Sequence, residues 1–262
     1  AKDGTPKILE FNADTPTSLL EASVIQWQWK EDVFPECDQF NGIHEGLVQS
    51  WKDIFPKKGE IHFAGALENN EDTGTLQYLA STAMEAGFST RVLDMQALDL
   101  QNGRFFDPAG ELVNRCFKLY PWEWMGDESP DGCLAEMEWL EPIWKLVMSN
   151  KAILATLYEL FPDSPYVLPC YLSRPRSGLF CKKPVFSREG HNVSVVDIRD
   201  WEEYVRIAET EGDYNTGAYV YQEYVEPTAY SGRYPVIGSW IIGGEAAGIG
   251  IRENRMEVTD NL

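Results

Sequence analysis

The sequence predicts an α+β protein with a βαβ layer in its first half and a mostly antiparallel sheet in its second. Three observations carry this. The apolar run "EIHFAGAL" is followed by the helical stretch "NEDTGTLQYLASTAMEAG" and then by a second apolar run, "FSTRVLDMQAL". Strand, helix and strand at that spacing make a parallel unit. Towards the C-terminus, "AYVYQEYVEP", "RYPVIGSWIIGG" and "EAAGIGIREN" read as strands in direct succession. The chain has 262 residues, 44% of them hydrophobic, enough to bury the core of one large domain or two intimate ones.

The elements follow in order. In "ILEFNADTPTSLLEA", Ile8, Leu9 and Phe11 begin a strand, so Glu10, Asn12 and Asp14 share a face while the chain stays extended. Thr15 or Thr17 can cap a helix over "TSLLEASVIQWQWKEDVF", with Leu19, Leu20, Val24 and Trp27 at helical spacing. Pro16 and that helix bend the chain near Asp14, which is expected to turn away and bind the new helix's backbone N–H groups. "DQFNGIHEGLVQSWKDIF" reads as a second helix with a stripe of Ile43, Leu47, Trp51 and Ile54. After the βαβ unit, whose helix closes at Gly87, "LQNGRFFDPAGELV" turns at Asn102-Gly103 and again at Pro108–Gly110. "WLEPIWKLVMSNKAILATLYELF" reads as helical up to Pro162. "YVLPCYLS" and "GLFCKKPVFS" are strands, "REGHNVSVV" is a glycine-containing loop entering another, and "DWEEYVRIAETEG" reads as a helix. The expected organisation has three parts: 1–58, a strand with helices; 59–145, an α/β region; and 146–262, the region of the mostly antiparallel sheet.

Composition excludes some functions. With 22 Lys and Arg against 42 Asp and Glu the net charge is -20, which argues against a nucleic-acid surface and would attract polycationic small molecules. No apolar run approaches the roughly 20 residues of a membrane span. The five cysteines are scattered, without metal or disulfide spacing, and read as reduced core thiols of a cytoplasmic protein. The opening "AKDGTPK" does not read as a signal peptide.

Several polar groups suggest chemistry. Lys183 ends an apolar strand before a loop holding Ser187, Arg188, Gly190 and Asn192. An ammonium under such a loop suits phosphates, and an edge-strand lysine beside an ordinary hairpin is the plain alternative. Gln222 and Glu223 end a strand where a nucleotide base could lie. Lys151 follows Asn150 near a helix start. Gly248 and Gly250 alternate along a strand and permit close approach by a ligand or another backbone, and Arg252 beyond them could hold a carboxylate or an acid of the protein itself. Glu10 and Asn12 are hard oxygen ligands of the kind Mg²⁺ takes. Together they make a consistent ATP site.

The motifs "EFNADTPTSLLEA", "FKLYPWEWM", "WLEPIWKLVMSNKAIL", "KKPVFSREGHNV" and "IGSWIIGGEAAGIGIRE" resemble the synthetase region of the glutathionylspermidine synthase family, in its stand-alone branch without the cysteine amidase domain. The resemblance implies a circularly permuted ATP-grasp-like fold with a pre-ATP-grasp βαβ layer, in which the metal ligands precede the ATP-binding lysines. It implies ATP and Mg²⁺ as cofactors, with Glu10 and Asn12 on the metal. Lys151 and Lys183 would meet the phosphates, and Ser187, Arg188, Gly190 and Asn192 would form the covering loop. Gln222 and Glu223 would line the base and ribose site, and Arg252 would stabilise the acyl phosphate and tetrahedral state. Thr15, Thr17 and Glu71 would lie near the thiol-peptide and amine substrates. Where bifunctional members have an "NADSAS"-like turn this chain has "NADTPTS", and the family's upstream Arg- and Asp-bearing strand has no counterpart here. The activity implied is ATP-dependent amide formation from small carboxylate and amine substrates, glutathione- and polyamine-like. Two other readings stay open: a ligase for another peptide or amine, and a non-catalytic nucleotide- or peptide-binding relative.

Overall fold

The structure is a computed structural model that describes residues 4–200, 203–214 and 217–255. The chain divides into two compact units. One holds residues 12–146 and 237–251, the other 1–11, 147–236 and 252–262.

The first unit is built on a parallel sheet. Strands β1 (Glu60–Gly65), β2 (Ser89–Asp94), β6 (Arg115–Leu119) and β7 (Glu138–Leu140) lie in the order β2-β1-β6-β7, all pairings parallel. Helix α3 (Asn70–Glu85) makes the β1–β2 crossover. Its N-cap Asn69 accepts from the Glu71 N–H at 2.8 Å, and Gly87 takes a positive φ just after its end, as the βαβ reading requires. Strands β3 (Asp99–Gln101), β4 (Arg104–Phe106) and β5 (Leu112–Val113) form the expected antiparallel meander, turning at Asn102-Gly103. One face of the parallel sheet packs on α2 (Ile43–Ile54) and α3 through Ile43, Val48, Trp51, Phe63, Leu76 and Phe117. In the expected α2 stripe Val48 takes the buried place and Ile54 is exposed. Within this unit Gly248 and Gly250 serve backbone packing. A Cβ at Gly248 would lie 2.7 Å from Ile43 Cγ1, and one at Gly250 2.9 Å from Ala22 Cβ.

The second unit carries an antiparallel sheet. Its strands are β8 (Cys170–Tyr171), β9 (Gly178–Pro184), β10 (Ser194–Ile198), β11 (Tyr204–Glu209) and β12 (Tyr219–Glu223), in the order β11-β10-β9-β12-β8. Helix α7 (Ile153–Leu160) packs on it through Leu154, against Cys170 and Val220. Strands β13 (Tyr234–Ile242) and β14 (Glu245–Asn254) pair as a hairpin turning at Gly243-Gly244, both at positive φ, and their residues 237–251 belong to the first unit.

Five expectations need correction. The stretch read as a helix after residue 200 is strand β11, paired antiparallel with β10. Tyr204, Val205 and Ile207 favour strands, and Asp200 turns the chain back by accepting the Glu203 N–H at 2.8 Å. Trp201 and Glu202 lie outside the described residues. The long helix expected after Trp139 is β7 followed by two short helices, α6 (Lys145–Ser149) and α7. The break between them occurs where Asn150 Oδ1 accepts the Ala152 N–H at 2.8 Å and the Lys151 N–H bonds Val185 O at 2.9 Å instead of continuing a helix. The helical stretch begins at Leu19, passes through a π-turn at Glu21–Ile25 and runs into α1 (Gln26–Val33). Ser18, at φ 61, precedes its first turn and its carbonyl accepts the Ala22 N–H at 3.2 Å, so Ser18 stands at the start where Thr15 or Thr17 was expected. Residues 5–13 are extended but join no sheet. Of the five cysteines, all free thiols, Cys116 and Cys170 are buried while Cys37 is exposed, so not all are core groups.

Candidate functional site

Most of the predicted site residues fall in one unit. Glu10, Lys151, Lys183, Ser187, Arg188, Gly190, Asn192, Gln222, Glu223 and Arg252 all belong to the unit built on the antiparallel sheet, and Asn12, Thr15, Thr17 and Glu71 to the other.

The centre is a carboxylate, Glu10, with two buried lysines near it. Lys151, 6% exposed, sits in the break between α6 and α7, and Lys183, 8% exposed, ends β9. Lys151 Nζ donates to Ser187 O at 2.6 Å and lies 3.2 Å from Glu10 Oε2. Lys183 Nζ donates to two neutral oxygens, Leu9 O at 3.0 Å and Gln222 Oε1 at 2.7 Å. Gln222 Nε2 donates onward to Ile8 O at 2.9 Å, and the Ile8 N–H bonds Tyr166 O at 2.9 Å. The extended segment before Glu10 is therefore held by side chains from β9 and β12.

Electrostatics follow from this crowding. Burial alone would raise the Glu10 carboxyl, but Lys151, Lys183 and Arg252 outweigh it and hold it below its ordinary 4.5, although the side chain keeps 39% of its surface exposed. Glu10 is therefore ionised at neutral pH. Burial lowers the Lys151 ammonium, Glu10 opposes that, and Lys183 and Arg188 add to it. Buried cations gathered around one carboxylate are a setting that a bound polyanion would relieve.

The loop after β9 is docked. Asn192, at φ 55, donates from Nδ2 to Gly212 O at 2.8 Å and accepts the Tyr214 N–H at 2.7 Å. Thr210 Oγ1 donates to Gly190 O at 2.5 Å and accepts the Val193 N–H at 3.0 Å. A side chain at Gly212 would run into His191. Thr210, Gly212 and Tyr214 were missed in the sequence, where "ETEGDY" offers only a glycine among polar residues. Ser187 is buried, Arg188 half-buried, and Glu223 and Arg252 are exposed at the ends of β12 and β14.

In the other unit Asn12 and Thr17 are exposed, Thr15 is half-buried, and Glu71 is exposed in the first turn of α3. Asp14 is fully buried. It accepts from Lys118 Nζ, equally buried, and from the Trp122 N–H at 2.8 Å. It does turn to a helix start, but that of α4 (Trp122–Glu128), 108 residues on. The Lys118 ammonium lies 4.4 Å from the Trp122 ring centroid and donates to Tyr120 O at 2.9 Å. Nothing local in "FKLYPWEWM" marked Lys118 as the partner.

Comparison with known proteins agrees with this architecture. A solved structure from Methylobacillus flagellatus, provisionally described as a gamma-glutamylcysteine synthetase, superposes at a TM-score of 0.55 with 11% identity, covering 84% of this chain and 72% of that one. That likeness defines the class by fold: a mixed α/β protein with parallel and antiparallel sheets. The family model described as glutathionylspermidine synthase preATP-grasp matches residues 1–262, and the chain belongs to that family. A Haemophilus influenzae protein, provisionally named an acid–amine ligase, is 37% identical over 97% of this chain and 68% of its own length. The trypanothione synthetase of Crithidia fasciculata is 28% identical over 97% of this chain, and the bifunctional glutathionylspermidine synthetase/amidase of Escherichia coli 26% over 94%. This chain spans 43% and 44% of those two proteins. Among the described residues no helix is long and apolar enough to cross a membrane.

Proposed function

We propose that this chain carries the ATP-binding and metal-binding parts of an ATP-dependent carboxylate–amine ligase of the glutathionylspermidine synthase kind. The observation that carries the reading is the pair of buried lysines near the ionised Glu10, Lys151 in contact with it at 3.2 Å and Lys183 lowering its pKa through its charge. Lys183, whose hydrogen bonds among the described residues go to neutral oxygens at 2.7 and 3.0 Å, fits an incoming phosphate oxygen. Among the described residues no three His, Cys, Asp or Glu side chains cluster to hold a metal by themselves. A Mg²⁺ on Glu10 and Asn12 would therefore draw its remaining ligands from phosphate oxygens and water, as this ion commonly does.

Bound Mg-ATP would supply the phosphoryl group that activates the acid. The chain's own residues bind and orient. Lys151 and Lys183 hold phosphate charge, and the loop carrying Ser187, Arg188, Gly190 and Asn192 covers the nucleotide. Gln222 and Glu223 lie where the base and ribose would sit, and Arg252 offsets charge developing on the acyl oxygen. Thr15, Thr17 and Glu71 belong near the peptide and amine. The order of Glu10 and Asn12 before Lys151 and Lys183 supports a circularly permuted ATP-grasp arrangement, and the three-part functional division is part of the same reading. A polyamine co-substrate agrees with the net charge of -20, and free thiols throughout agree with a cytoplasmic setting.

The test is ADP release from the protein with glutathione and a panel of polyamines. Release that requires both an acid and an amine supports the ligase. Release with other pairs only would shift the substrates, and none with any pair would favour a non-catalytic relative.

A further inference from the structure

Gln222 is 1% exposed, and both ends of its carboxamide are engaged. Lys183 can only donate and the Ile8 carbonyl can only accept, so one amide orientation satisfies both, with Oε1 towards Lys183 at 2.7 Å and Nε2 towards Ile8 O at 2.9 Å. Lys183 also donates to Leu9 O at 3.0 Å. An ammonium has three donors. Two are spent on carbonyl oxygens fixed by strand β12 and by the segment before Glu10, which aims the third. That segment belongs to no sheet and is tied down by these bonds together with the Ile8 N–H to Tyr166 O, Lys7 Nζ to Pro165 O at 2.5 Å and the Glu10–Lys151 pair at 3.2 Å.

We propose that Gln222 is a positioning residue for the ligase reaction: its carboxamide aims the Lys183 ammonium and ties the Glu10-bearing segment to β12. The inference rests on the reading of Lys183 as a phosphate-binding group, and it gives the Gln222 side chain a task other than meeting the base. A carboxamide supplies both an acceptor and a donor, and two substitutions separate them. Glutamate keeps the acceptor for Lys183 but cannot donate to Ile8, and leucine does neither.

Two measurements test it. The first needs no nucleotide. Gln222→Leu should speed hydrogen exchange at the Ile8 amide by about tenfold or more, a loss of about 1.4 kcal/mol of local protection. Gln222→Glu, the variant that keeps the Lys183 contact should leucine fail to fold, should speed it as well. Unchanged exchange at Ile8 in both variants would overturn the inference. The second is a double-mutant cycle read by calorimetry of Mg-ATP binding. If Gln222 acts through Lys183, Gln222→Leu weakens binding about tenfold in the wild type and adds little in a Lys183→Met background. Full additivity of the two losses would overturn it. A folded wild type that fails to bind Mg-ATP would sink the proposed function instead, leaving exchange at Ile8 to decide whether the tie exists.

Discussion

Asp14→Ala strips the Lys118 ammonium of its carboxylate at a site where both side chains have no exposed surface, and it leaves the Trp122 N–H without its acceptor. Breaking a buried ion pair by removing one partner costs about 3–5 kcal/mol. A helix cap alone would cost about 1 kcal/mol, which is the effect expected if Asp14 merely capped the helix after it in sequence. For a chain of this size, with roughly 2–4 °C lost per kcal/mol, the melting temperature should fall by roughly 6–20 °C. Burial already lowers the Lys118 ammonium and Asp14 opposes that, so the lysine left behind escapes part of the penalty by losing its proton. Replacing both partners by apolar groups, Asp14→Leu with Lys118→Met, should recover most of the loss. The assay is thermal melting of the three variants against wild type. A loss near 1 kcal/mol for Asp14→Ala, or a double variant no better than the single, would refute the reasoning.

Three further outcomes are expected. The folded Glu10 carboxyl titrates below its ordinary 4.5, so its contribution to stability is fully present above that pH and is lost as pH falls through the folded value. The melting-temperature gap between wild type and Glu10→Gln should therefore narrow on acidification below 4.5, and a gap independent of pH would contradict the pairing with Lys151. Burial pushes the Cys116 thiol up to about 12 and the Cys170 thiol up to about 11. Iodoacetamide at pH about 8 should thus label exposed Cys37 and spare those two until the chain unfolds, as read by mass spectrometry. Gly248→Ala, with its new Cβ 2.7 Å from Ile43 Cγ1, should cost about 1–3 kcal/mol in thermal melts. Gly126→Ala, inside α4 with nothing within 4 Å, should gain about 0.5–1 kcal/mol.

The legible parts were those whose signals are local. The βαβ layer shows in hydrophobic runs and a closing glycine, and the meander in Asn102-Gly103. Strand β11 was misread because the Asp200 turn and pairing with β10 decide it, and its six residues are all exposed at a sheet edge, leaving no buried stripe to read. The segment before Glu10 looked like a strand because Ile8, Leu9 and Phe11 are apolar. Its carbonyls instead meet Gln222 and Lys183, more than 170 residues away in sequence. The same applies to Asp14: that it would meet a helix start was legible, but the helix it meets, α4, and its partner on β6 were not. Gly248 and Gly250 signalled close approach correctly. Only the fold could say that the neighbours are Ile43 and Ala22 rather than a ligand.

The central claim is that Lys183 and Lys151, the two buried lysines near Glu10, form a nucleotide-phosphate site. Isothermal titration with Mg-ATP measures it most directly, using wild type and a Lys183→Ala variant whose fold is checked by circular dichroism. The account predicts saturable binding by wild type and a loss of at least roughly tenfold in the variant, about 1.4 kcal/mol. Equal affinities, or no binding by the folded wild-type protein, would contradict it.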